Sequence, residues 1–150
     1  IGKKESSLEE KCGYYGEKLV LFAQELGLNT CWVAMTYSKI KTAFQVEKGE
    51  KLCIVIALGY GETQGLPHKS KSMEEVIQLD GPAPEWFQKG VEAALLAPTA
   101  MNQQKFLFRL DKNRVSVKAG FGFYTKIDMG IVKYHFEIGA GKEHFQWELS

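Results

Sequence analysis

The sequence predicts a chain that mixes helices with strands, and three observations carry that prediction. Residues Tyr15 to Leu26 and Pro84 to Leu96 hold apolar side chains at three-and-four spacing, the period of an amphipathic helix. Residues Lys105 to Leu110 and Arg114 to Lys118 flank the turn triplet Asp111-Lys112-Asn113, as a hairpin does. Leu52 to Leu58 is apolar without interruption, the pattern of a central strand covered on both faces.

The elements follow in chain order. Residues 1–12 are charged and are expected to be loose, or helical at an edge. The helix from Tyr15 sets Leu19, Phe22, Ala23 and Leu26 inward, and Gly27 ends it in the C′ position. Thr30 to Met35, rich in β-branched and aromatic residues, reads as extended. Ser38 has the side chain of an N-cap for a second helix with Ile40, Ala43, Phe44 and Val46 inward. Glu47-Lys48-Gly49-Glu50 turns the chain into the Leu52 strand, and Gly61 to Pro67 is loop. Ser72 caps a short turn through Val76. Gly81-Pro82-Ala83-Pro84 is the strongest punctuation and divides the chain in two. Pro84 suits the start of the next helix, with Phe87, Val91, Ala94 and Leu95 inward, and Pro98 ends it. Asp128 to Ile138 reads as the last helix, stopped by Gly139-Ala140-Gly141, and His144 to Leu149 as a closing strand. The helix of Gly16 leads to Trp32 and the helix of Gly130 leads to Trp147. The two separations differ by one residue, a spacing that duplication and chance explain equally well.

Composition narrows the function classes. The 150 residues are 45% hydrophobic and 12% aromatic, enough to build a core within about one domain. Net charge is +1 with both signs dispersed, so no basic field invites nucleic acid. No apolar run approaches the ~20 residues of a membrane span. Cys12, Cys31 and Cys53 are too few and too scattered for a disulfide framework or a zinc ribbon, and they fit a reducing, cytoplasmic setting. His68, His135 and His144 make no metal set, so no metal is expected. Neither an acid–base dyad nor a nucleophile with its base stands out.

The segment Lys69-Ser70-Lys71-Ser72-Met73-Glu74-Glu75-Val76 follows a buried strand and a glycine-bearing loop. Backbone N–H groups and two alternate lysines suit a phosphate. Two further segments give it weight: Leu26-Gly27-Leu28-Asn29-Thr30-Cys31-Trp32 and Ala97-Pro98-Thr99-Ala100-Met101-Asn102-Gln103-Gln104. With these three together the chain resembles the nitroreductase family of flavoproteins. The likeness is nearest to its single-chain branch, in which two family-like halves follow one another.

The resemblance implies an α+β fold: a mostly antiparallel sheet flanked by helices, in two half-domains with FMN at their seam. Residues 1–80 would be the C-terminal part of the first half, and residues 81–150 a shortened second half. The backbone at Trp32, Val33, Ala34 and Met35 would lie near the flavin ring. Lys69 and Lys71 match the basic pair on the FMN phosphate. The second is more often arginine, so a bidentate grip is lost. Pro98, Thr99, Ala100 and Asn102 match the loop that one half contributes to the flavin of the other. The implied activity is a ping-pong NAD(P)H oxidoreductase acting on a nitroaromatic, a quinone or a similar small oxidant. The cofactor carries the chemistry, so no catalytic side chain is expected. The family's N-terminal Arg-x-Ser-x-Arg motif has no match, and residue 1 is not methionine. A front segment of the same polypeptide, or a second copy, is therefore expected to complete the site. The alternative is a flavin-binding or sensing protein without turnover.

Overall fold

The computed structural model describes residues 1–38 and 44–148. The expected helix after Ser38 falls largely on residues outside that set, and Val46 beyond it is exposed. The fold is α+β. Strand β1 (Gly2–Lys3) pairs antiparallel with β3 (Glu50–Lys51), and β2 (Asn29–Val33) pairs antiparallel with β4 (Val55–Gly59). A four-stranded sheet runs in the order β5 (Ile77–Gln78), β6 (Phe106–Asp111), β7 (Arg114–Ala119) and β8 (Gln146–Trp147). The β6–β7 hairpin is antiparallel, with Lys112 left-handed at its turn, while the short outer strands join in parallel. Helices α1 (Leu8–Glu25), α2 (Glu85–Leu95) and α3 (Thr125–Ala140) complete the fold. No described helix is long and apolar enough to cross a membrane.

The core lies between α2, α3 and the four-stranded sheet. Phe87, Phe108 and Phe136 are fully buried, and the rings of Phe108 and Phe136 stack at 4.8 Å. The expected stripe of α2 is buried throughout. Burying each such aromatic or aliphatic side chain stabilises by about 1.5–3 kcal/mol. The capped turn at Ser72 forms as expected, and the Glu75 carboxylate accepts the Ser72 N–H at 2.8 Å.

Helix α1 departs from expectation twice. It begins at Leu8, well before Tyr15, so of residues 1–12 the part from Leu8 is helical, one of the two expected states, while Gly2–Lys3 is a strand. Its inward face is also the other one. Leu19, Phe22 and Leu26 are 65%, 56% and 60% exposed, while Gly13, Gly16, Glu17 and Val20 are buried beside Ala23. Both sets repeat at helical spacing, and local hydrophobicity favours the wrong one. The choice is made by α3, which crosses at Gly130. There a Cβ at Gly13 would overlap the Ile127 carbonyl, and a Cβ at Gly130 would overlap the Glu10 carbonyl and the Tyr14 nitrogen. Only a glycine face lets the two backbones approach so closely. Phe22→Ser should therefore shift stability by no more than about 0.5 kcal/mol. Val20→Ala should cost about 1–3 kcal/mol. Urea unfolding of the two variants checks this; a larger loss from Phe22→Ser would return the expected stripe to the core.

The Leu52–Leu58 segment is corrected as well. Its strand starts at Val55, has one partner among the described residues, and leaves Leu58 65% exposed. An apolar run identifies a strand but does not count the layers over it. Strand β5, unforeseen, is only a two-residue addition to β6.

Candidate functional site

Two loops and one helix enclose a slot of about 170 Å³. Strand β2 ends at Val33, and Ala34 stands just past the last ladder pair, Val33 with Val55. Trp32, Ala34 and Ile54 form one wall. Pro98, Thr99, Ala100 and Met101, leaving the end of α2, form the rim. Ile127, Asp128 and Ile131 on α3, with Tyr124 before it, form the opposite wall. Three larger depressions, of about 410, 470 and 460 Å³, hold none of the sequence-expected residues.

The rim is strained and tightly tied. Met101, Asn102 and Gln104 adopt left-handed backbone (φ 53°, 50° and 43°), and so does Tyr124 (φ 53°). Each such non-glycine residue costs on the order of 1 kcal/mol and persists only where its surroundings over-determine it. Asp128 does much of this. Its Oδ1 accepts the Ala100 N–H at 3.0 Å and its Oδ2 accepts the Gln103 amide at 2.7 Å. Burial raises the Asp128 carboxyl above the ordinary aspartate value; the bonds from Ala100 and Gln103 pull the other way. The Gln103 amide also donates to the Phe123 carbonyl at 2.6 Å, which binds the rim to the segment before α3.

Gln104 joins the lysine loop to the rim. Its buried side chain accepts the Lys71 N–H at 2.8 Å and donates to the Lys69 carbonyl at 3.0 Å. Its backbone N–H goes to Thr99 Oγ1 at 3.0 Å. The Asn102 amide donates to the same Lys69 carbonyl at 2.9 Å. His68 and Ser70 meet the Leu95 carbonyl at the end of α2, at 2.9 and 3.2 Å. The expected residues thus fall into groups. Trp32, Ala34, Pro98, Thr99 and Ala100 line one slot. Lys69, Lys71 and Asn102 sit on the two loops stitched together beside it. Val33 and Met35 do not line the slot, and Met35 is exposed. The Lys71 ammonium donates to the Gln104 carbonyl at 2.9 Å, while Lys69 is exposed.

Sequence reasoning missed Gln104, Asp128, Tyr124 and the pair Glu17–His135. Gln104 lay inside a segment already singled out. Asp128 finds its partners Gln103 and Ala100 25 and 28 positions away, and Glu17 meets His135 118 positions away. No local spacing marks them.

A planar aromatic group fits this slot in part. The walls are aromatic and aliphatic, the Ala34 N–H lies outside the strand ladder, and two lysines stand on the neighbouring loop. The volume falls short of the ~300 Å³ at which ligand pockets usually begin, so these residues fit one wall of a nucleotide site rather than its entirety.

The fold has a solved counterpart. A crystal structure of a Thermotoga maritima MSB8 protein superposes with a TM-score of 0.68 at 23% identity, covering 91% of this chain and 57% of that one. The chain thus spans a little over half the length of that neighbour. No curated protein matches. The family model described as "Putative TM nitroreductase", the description the solved neighbour shares, matches residues 1–140. With nearly its whole length matched, the chain belongs to that nitroreductase family.

Proposed function

We propose that this chain forms one face of an FMN site in an NAD(P)H-dependent oxidoreductase that reduces a nitroaromatic, a quinone or a similar small acceptor. The observation that carries this reading is the convergence of Trp32 and Ala34 with Pro98, Thr99 and Ala100 on one apolar slot. When bound, the flavin supplies two-electron transfer between NAD(P)H and acceptor in a ping-pong cycle. The chain's residues bind and orient. Trp32 and Ile131 offer flat and aliphatic surface to a ring, and the Ala34 N–H is a donor at its edge. Thr99 to Asn102 close the rim, and the stiff ties to Asp128 and Gln104 keep it in place. Lys69 offers an ammonium to a phosphate. Lys71 can join it by leaving the Gln104 carbonyl. Residues 1–80 would be the C-terminal part of a first family-like half and residues 81–150 a shortened second half. The rest of the site would come, within the cytoplasm, from a front segment of the same polypeptide or from a second copy.

Addition of FMN should quench flavin fluorescence and give a yellow protein that oxidises NAD(P)H when a quinone is present. Lys69→Met should weaken FMN binding about fivefold and leave riboflavin, which has no phosphate, unaffected. A protein that binds neither flavin overturns the reading. The engagement of Lys71 with Gln104 favours a second reading, binding without turnover. Flavin uptake with no NAD(P)H oxidation would establish it.

A further inference from the structure

We propose that Glu17 is a positioning residue for the slot, fixing the plane of the Trp32 indole and through it the gap between the slot's two walls. Glu17 is 1% exposed and lies on α1, which contributes no lining residue. One carboxylate oxygen meets His135 Nε2 at 2.7 Å, and the other accepts the Trp32 indole N–H at 3.2 Å. Trp32 is one wall of the slot. His135 stands one helical turn beyond Ile131, on the α3 face that supplies the other wall. A single buried carboxylate therefore ties both walls to a third helix.

A side chain with only a volume to fill would not be a carboxylate here. Taking the charge out of water costs several kcal/mol, and apolar residues of equal size commonly do as well or better in such places. What the carboxylate adds is direction. The indole's pyrrole side is held by Glu17. Its benzene side rests on Gly16, where any Cβ would overlap Trp32 Cη2. These two contacts together fix both the tilt and the in-plane rotation of the ring. The width left for a planar guest then depends on Glu17. That consequence rests on the flavin reading; the fixing of the indole does not.

The test uses Glu17→Gln and Glu17→Leu in the intact protein, with flavin absent and then present. Gln retains an acceptor for the indole and Leu does not. In ¹⁵N–¹H spectra the Trp32 indole signal, assigned with Trp32→Phe, should move upfield and exchange faster in Glu17→Leu. The Trp147 indole, bound to Glu137 at 2.8 Å, should stay in place as an internal reference. The nuclear Overhauser contact between the Trp32 ring and the Gly16 α-protons should weaken in Leu and persist in Gln. FMN affinity should fall about tenfold in Leu and stay within about twofold in Gln. An unchanged Trp32 signal and Overhauser contact in Glu17→Leu would overturn the proposal. If that variant does not fold, the Gln variant decides: loss of the carboxylate must still shift the Trp32 indole proton, and no shift overturns the proposal. If wild type binds no flavin, the flavin reading fails, while the flavin-free spectra still decide the role of Glu17.

Discussion

Gly130→Ala should lower the melting temperature by roughly 4–8 °C, although alanine is the better helix former. Intrinsic propensity alone would stabilise α3 by up to about 1 kcal/mol. Against it stands the crossing with α1. The added methyl would overlap the Glu10 carbonyl and the Tyr14 nitrogen, both backbone atoms that cannot rotate aside. The helices must then separate, and overpacking of that kind costs about 1–3 kcal/mol or more. Separation also disturbs the ties that span this interface: Lys133 to Glu10 at 2.5 Å, His135 to Glu17, and Tyr14 to Glu137. The net loss should be about 2 kcal/mol. Gly59→Ala is the control, because a Cβ there meets nothing within reach. Calorimetry of the two variants decides the matter, and a melting temperature raised by Gly130→Ala would mean that the crossing is looser than described.

The same crossing shows what a sequence conceals. The stripe of α2 and the β6–β7 hairpin were legible because each is a local pattern with one solution. Phe87, Val91, Ala94 and Leu95 leave α2 no other apolar face, and Asp111-Lys112-Asn113 leaves the two strands no other turn. In α1 two faces compete, and the winner is set by a glycine more than a hundred residues away. The strand of Val55 to Gly59 was legible as a strand, while the number of layers around it depends on what pairs beside it. The slot divides in the same way. Trp32, Ala34, Pro98, Thr99 and Ala100 were readable as segments with a family pattern. Their anchors, Asp128, Gln104 and Glu17, are polar residues whose meaning arises only when the chain folds back on itself.

Asp128→Ala should have the second large effect, and pH gives it a signature. The residue stands in the first turn of α3, where the helix dipole favours an anion. Its loss leaves the half-buried Ala100 N–H without an acceptor and the Gln103 amide with the Phe123 carbonyl alone, at about 1–3 kcal/mol for a donor left unpaired. Between those anchors lie Met101 and Asn102 in left-handed backbone, whose strain the anchors hold. Stability should fall by about 2–3 kcal/mol, and the Ala100 amide should lose its protection from hydrogen exchange. Asp128→Asn keeps the volume and one acceptor oxygen but turns an amide toward the Gln103 amide, donor against donor. The carboxyl is raised by burial, so the folded protein holds this proton more tightly than the unfolded chain does. Its contribution to stability is then full below the ordinary aspartate value of about 4 and is lost as pH rises through the folded value. The advantage of wild type over Asp128→Asn in urea unfolding should therefore shrink with rising pH across that range. An advantage that grows with pH would show that the bonds to Ala100 and Gln103 outweigh desolvation, and that Asp128 sits there as a well-stabilised anion.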